Sequence, residues 1–167
     1  GPEDDIDYGT DNNIRSLYLT SIESTANRLT LDGNNITTKS NEIEPGTHGT
    51  IYGIYIHGED KNNIATDIEI INNEITTTGK IYDYDIRVNY ANDVLIQNNT
   101  VTGSSDYYLS GIHVFAISDS LINNNTVDIK ANNMTYGITL EGAMGDYNFE
   151  TEEIESCSSE SIKIKPV

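Results

Sequence analysis

Arg87 and His113 occupy the same place in two matching segments, Asp85-Ile-Arg-Val88 and Gly111-Ile-His-Val114, which start 26 residues apart. A guanidinium presents a planar fork of donors that suits a carboxylate, and an imidazole can take or give a proton near neutral pH. Two further copies, Gly53-Ile-Tyr-Ile56 and Gly137-Ile-Thr-Leu140, put Tyr55 and Thr139 at that place. If the copies stack as paired strands, Tyr55, Arg87 and His113 form a row on one outer face, with about 5 Å between neighbours. Such a row could hold an acidic group, and His113 could serve as a base. Tyr52, Tyr84 and Tyr136 stand just before the segment, with Ser110 in the remaining copy. Sugar rings dock on aromatic faces, and tyrosine hydroxyls can hydrogen-bond their alcohols.

Paired carboxylates are the other candidate chemistry. Asp83 and Asp85 lie on one side of a strand start, and two carboxyls flanking a glycosidic bond can hydrolyse it. Asp67, Asp93 and Asp119 recur in three successive copies, which fits turn chemistry better than a single site. Neither set defines a catalytic residue. His48 and His57 border two long inserts that would form a lip on the same side, and are too far apart in sequence for a metal motif. No metal site is expected; calcium held by the abundant acids is the one cofactor that remains open.

The elements that must position these residues follow from a repeat. Asp67-Ile-Glu-Ile-Ile-Asn-Asn-Glu-Ile75, Asp93-Val-Leu-Ile-Gln-Asn-Asn-Thr-Val101 and Asp119-Ser-Leu-Ile-Asn-Asn-Asn-Thr-Val127 start 26 residues apart. The frame is apolar, two residues, Asn, one residue, apolar, and Leu31-Asp-Gly-Asn34-Asn-Ile36 is an earlier copy. It aligns Ile70, Ile96 and Ile122 in one column and Ile75, Val101 and Val127 in another. Short alternating runs with no 3.6-residue period indicate strands. Periodic stacking buries the apolar columns and predicts an all-β fold: a right-handed parallel β-helix, a solenoid of about five coils. Asn34, Asn73, Asn99 and Asn125 are expected at an inward turn, where Asn tolerates a left-handed backbone and its amide can bond that of the next coil as a ladder.

Charge narrows the partners. Lys and Arg number 9 against 27 Asp and Glu, a net charge of -18, so nucleic acid is a poor partner. No apolar run approaches the roughly 20 residues that a membrane helix needs, so no membrane insertion is expected. Cys157 has no partner for an intrachain disulfide. Gly1-Pro2 reads as a tag scar. Asn35-Ile-Thr37 and Asn133-Met-Thr135 are glycosylation candidates if the chain is exported. The domain reading is residues 1–2 as the scar, 3–27 as an extension with a partial coil around Ser16–Leu19, and 28–142 as regular coils. Residues 143–167 read as a degenerate last coil, carried by Phe149-x-x-Glu152-x-Ile154 and Ser161-Ile-Lys-Ile164. With no capping helix evident, flanking domains of a longer chain or a homo-oligomer are expected to cover the ends.

The frame of apolar-x-x-Asn-x-apolar followed by Gly-Ile-x-apolar resembles the β-helix repeat of the pectate-lyase-like superfamily. Its acidic, Asn- and Thr-rich form is most similar to adhesin-like surface proteins of methanogenic archaea. The resemblance implies an extracellular, cell-surface stalk or recognition module that binds carbohydrate or another cell's surface. It leaves open a polysaccharide lyase or glycoside hydrolase using Arg87, His113 and nearby Asp residues, and a purely structural spacer. The reading leans away from an enzyme, because no Lys joins Arg87 and His113 and no lyase motif can be matched.

Overall fold

The computed structural model describes residues 18–40 and 49–143, together with three short strands towards the C-terminus. These residues are all β, with no helix among them. The strands are β1 (Tyr18–Ser24), β2 (Leu29–Asp32), β3 (Asn35–Lys39), β4 (Thr50–His57), β5 (Ala65–Ile71) and β6 (Glu74–Gly79). They continue as β7 (Tyr82–Gln97), β8 (Thr100–Ser105), β9 (Tyr108–Ser118), β10 (Ser120–Asn123), β11 (Thr126–Ala131) and β12 (Met134–Ala143). The three short strands are β13 (Tyr147–Asn148), β14 (Glu153–Ile154) and β15 (Ile162–Lys165).

Pairing follows the repeat, and every strand ladder except β13–β14 is parallel. The first half of β7 lies between β4 and β9, and β12 follows β9. Its second half lies between β5 and β10. A third ladder runs β3, β6, β8, β11. In register, Ile54, Ile86 and Ile112 are each 0% exposed, so a fully buried column runs through three repeats. Each such side chain contributes roughly 1.5–3 kcal/mol by leaving water. Ile70, Ile96 and Ile122 make a second column, and Ile75 with Val101 a third.

The third ladder was hidden in the asparagine frame. Ile75 and Val101 belong to strands of their own, which start just after the inward asparagines, so the frame spans a corner. The left-handed residue at that corner is the first of each Asn pair: Asn72, Asn98 and Asn124 have φ of 58°, 58° and 53°. This corrects the expectation that the ladder asparagine itself adopts that backbone. The second Asn uses its side chain instead. Asn34 and Asn73 each donate from backbone N–H and Nδ2 to Oδ1 of the next ladder residue, at 2.8–3.0 Å. Asn99 does the same to Asn125 Oδ1, both at 2.9 Å. Nδ2 of Asn73, Asn99 and Asn125 also reaches the carbonyls of Leu31, Ile70 and Ile96.

Asp67, Asp93 and Asp119 are exposed and left-handed, with φ of 63°, 60° and 51°. A short polar side chain tolerates that backbone, whereas a β-branched one meets the carbonyl. Asp93→Val is therefore expected to cost about 1–2 kcal/mol, and Asp93→Gly to leave the melting temperature level or raise it. A Val variant that melts with the wild type would count against this.

Both ends depart from the expected register. Ser21-Ile22, rather than Ser16-Leu17, falls opposite Gly53-Ile54. At the other end, Ile162–Lys165 pairs with Ser120–Asn123, in the column of the first signature and not the second. Glu153–Ile154 pairs antiparallel with Tyr147–Asn148 and joins no parallel ladder. The last-coil reading is thus corrected in register, while Phe149, Glu152, Cys157 and His48 lie outside the described residues.

Candidate functional site

The outer face of β4, β7, β9 and β12 gathers the rare side chains. Parallel register puts Tyr55, Arg87, His113 and Thr139 side by side, and Tyr52, Tyr84, Ser110 and Tyr136 in the adjoining row. The Tyr52 ring stacks on Tyr55 at 4.6 Å and on Tyr84 at 5.3 Å. Tyr108 leans on both Tyr84 and Tyr136. Tyrosine rings thus form one continuous surface, ending at Tyr136, which is 45% exposed.

Arg87 is set into this surface. Its guanidinium carbon lies 4.6 Å from the centre of the Tyr84 ring and 6.0 Å from that of Tyr55, a cation–π arrangement that also orients the fork. Its Nε donates to Asn89 Oδ1 at 3.2 Å, and Asn89 Nδ2 donates to the Tyr55 hydroxyl at 3.2 Å. The guanidinium also hydrogen-bonds to the Tyr84 hydroxyl.

His113 is held differently. It is only 4% exposed, and its Nε2 lies 2.6 Å from Glu141 Oε2. Burial, then the nearby Arg87 charge, lowers its pKa, so the ring is neutral at pH 7. In the neutral form Nε2–H donates to Glu141 and Nδ1 is an acceptor without a donor. Burial raises the pKa of Tyr84, and pushes that of Tyr108 up to about 12. Their hydroxyls therefore stay protonated across the physiological range.

Asp85 does not belong to this face, and neither does Asp83. Both are 0% exposed and point into the protein, so neither can meet a substrate. Strict alternation puts Asp83, Asp85 and Arg87 on one side, but Asp85 and Ile86 are consecutively buried, and the strand changes sides between them. Tyr52 remains in its row yet is 2% exposed, covered by the rings of Tyr55 and Tyr84.

Asn89 and Glu23 escaped the sequence reading, as did the pairing of Glu141 with His113 rather than with Arg87. Asn89 and Glu141 lie two residues beyond Arg87 and Thr139 on the same face, a spacing that could have flagged them. Glu23 pairs with His57 Nε2 at 3.0 Å, across a strand pair with no sequence signal. The insert after His57 closes on itself through Asp60 Oδ1, which accepts Asn62 and Asn63 backbone N–H. Beside it a shallow polar cleft of about 270 Å³ is lined by Thr25, Asn27, Gly58, Glu59, Asn63 and Ile64. Asn35 and Asn133 are exposed.

Chemically, the face offers one oriented cation, neutral hydrogen-bonding groups and aromatic rings. The carboxylates beside it among the described residues, Glu141 and Glu23, are engaged by His113 and His57. No group of three or more metal-ligating side chains gathers among the described residues. Among the described residues there is no helix long and apolar enough to cross a membrane. No family model, curated protein or solved structure matches this chain.

Proposed function

We propose that the chain is a segment of a right-handed parallel β-helix that acts as a cell-surface recognition module, binding carbohydrate through the outer face of β4, β7, β9 and β12. The observation that carries the binding role is Arg87, laid over Tyr84 in a row with Tyr55 and His113. Preorganised planar donors set among tyrosine rings suit the hydroxyls and apolar faces of sugars. Support for the solenoid comes from three ladders that share the 26-residue spacing of the repeats. Extracellular display and kinship with adhesin-like proteins rest on the repeat resemblance. Interior placement of Asp83 and Asp85 favours binding over glycosidic bond cleavage, because paired carboxyls must flank the scissile bond.

A glycan array with wild type and Arg87→Ala tests this. Wild type is expected to retain a subset of glycans, and the variant to weaken that binding by about tenfold or more, since a desolvated arginine is a typical binding anchor. New reducing or unsaturated ends would replace the reading with an enzyme. Absence of retention by wild type would leave a spacer.

A further inference from the structure

The strand that turns Tyr84 and Arg87 outward turns two carboxyls inward. Asp83 takes a place held by Ile51 and Leu109 in the flanking repeats. Asp85 takes the place of Gly53, Gly111 and Gly137. Two acids thus replace the apolar and glycine residues that the repeat otherwise uses.

Their surroundings are closed. Asp85 Oδ1 accepts the Thr77 hydroxyl at 3.0 Å; Asp85 Oδ2 and both Asp83 oxygens have no partner in good hydrogen-bond geometry, and the nearby Thr77 hydroxyl and Tyr84 N–H ease the Asp83 carboxylate by less than burial opposes it. A Cβ on Gly79 would lie 2.9 Å from Asp83 Oδ2, and one on Gly103 would lie 3.0 Å from Asp85 Oδ1. Glycines at these places bring backbone against the carboxyls, a fit too close for a hydrated cation and its shell of ligands. The neighbouring elements supply no charge: β4 offers Ile51 and Gly53, β6 Thr77 and Gly79, β8 Gly103 and Ser105, and β9 Leu109 and Gly111. Lys80 pairs outward with Asp106 at 3.4 Å, and Arg87 lies on the opposite face of the strand.

We propose that Asp83 and Asp85 form a proton-loaded carboxyl pair in the interior, and that its ionisation loosens the start of β7. Two unpaired carboxylates in such a site are strongly disfavoured, whereas two carboxylic acids are tolerated. Burial pushes the pKa of Asp83 up to about 7. Burial, then the neighbouring Asp83 charge, raises that of Asp85 well above the ordinary carboxylate range. In the unfolded chain both titrate near 3.8. The folded state therefore binds more protons above that pH, and stability falls as pH rises through the folded values. Stability is full below about pH 4 for these two groups.

Thermal melting at pH 5 and pH 9, with amide exchange of residues 82–88, tests the pair in a way that does not depend on the recognition role. Wild type is expected to lose about 10 °C on going to the higher pH, with exchange accelerated first in β7. Asp83→Leu/Asp85→Gly, which restores the residue types of the flanking repeats, should abolish most of that loss. Asp83→Asn/Asp85→Asn keeps the volume without the charge and serves if the first variant fails to fold. Equal pH dependence in wild type and variants, or none in wild type, overturns the proposal. So does a wild-type melting temperature at pH 9 that rises with millimolar calcium and falls with EDTA, because the occupant would then be a cation.

Discussion

Asn99→Leu is expected to destabilise the protein by about 3–5 kcal/mol, because one side chain closes four hydrogen bonds in the interior. Asn99 Nδ2 reaches Ile70 O and Asn125 Oδ1, while its Oδ1 accepts both Asn73 N–H and Asn73 Nδ2. Leucine keeps much of the volume and none of the bonding. It strands buried Asn73, 1% exposed, and the Ile70 carbonyl together. Each orphaned buried group costs about 1–3 kcal/mol, and the apolar gain of leucine offsets only part of that. Chemical denaturation should show a lower midpoint, and melting should fall by roughly 10 °C. A midpoint unchanged from wild type would mean that the amide column contributes nothing to stability.

Gly103→Thr should cost about 3 kcal/mol in wild type and clearly less beside Asp85→Gly, which removes the carboxyl contact and leaves those with Thr77 and Leu109. A Cβ at residue 103 would sit 2.7 Å from Thr77 Oγ1, 3.0 Å from Asp85 Oδ1 and 3.2 Å from Leu109 Cδ2. In the flanking repeats Thr77 and Ile129 hold this register position, and there the counterparts of Asp85 are Gly53 and Gly111. Bulk has thus been exchanged across the interior, with the larger residue on either wall but not on both. A double-mutant cycle should give a favourable coupling of about 1–3 kcal/mol. Additive effects would show that Gly103 and Asp85 do not share the space.

Much of the stacking was legible because parallel ladders set like residues on like. The column of Ile70, Ile96 and Ile122 follows from the 26-residue spacing, and the row of Tyr55, Arg87 and His113 from the matching four-residue segments. Sidedness within a strand was less legible. Period-2 alternation breaks where Asp85 and Ile86 both face inward, and that break sent two carboxyls to the interior that alternation assigns to the surface. The turn at the Asn pair was legible, but not which of its two asparagines takes the left-handed backbone, since Asn tolerates that conformation at either place. Spacing places Asn89 and Glu141 beside the face, but which group each one bonds, Asn89 to Arg87 and Glu141 to His113, depends on rotamers and neighbouring strands.

The asparagine column has a further property, which lies in its direction. Between Asn34, Asn73, Asn99 and Asn125, each side-chain amide hydrogen bond runs the same way, from Nδ2 of one residue to Oδ1 of the next. The carboxamide dipoles are therefore aligned, and each polarises the next, as in a hydrogen-bonded chain of amides. Such a column has a negative pole at Asn34 and a positive pole at Asn125. An added repeat extends it only by offering an acceptor at one end or a donor at the other, so growth of the stack is vectorial and a reversed repeat would set dipole against dipole.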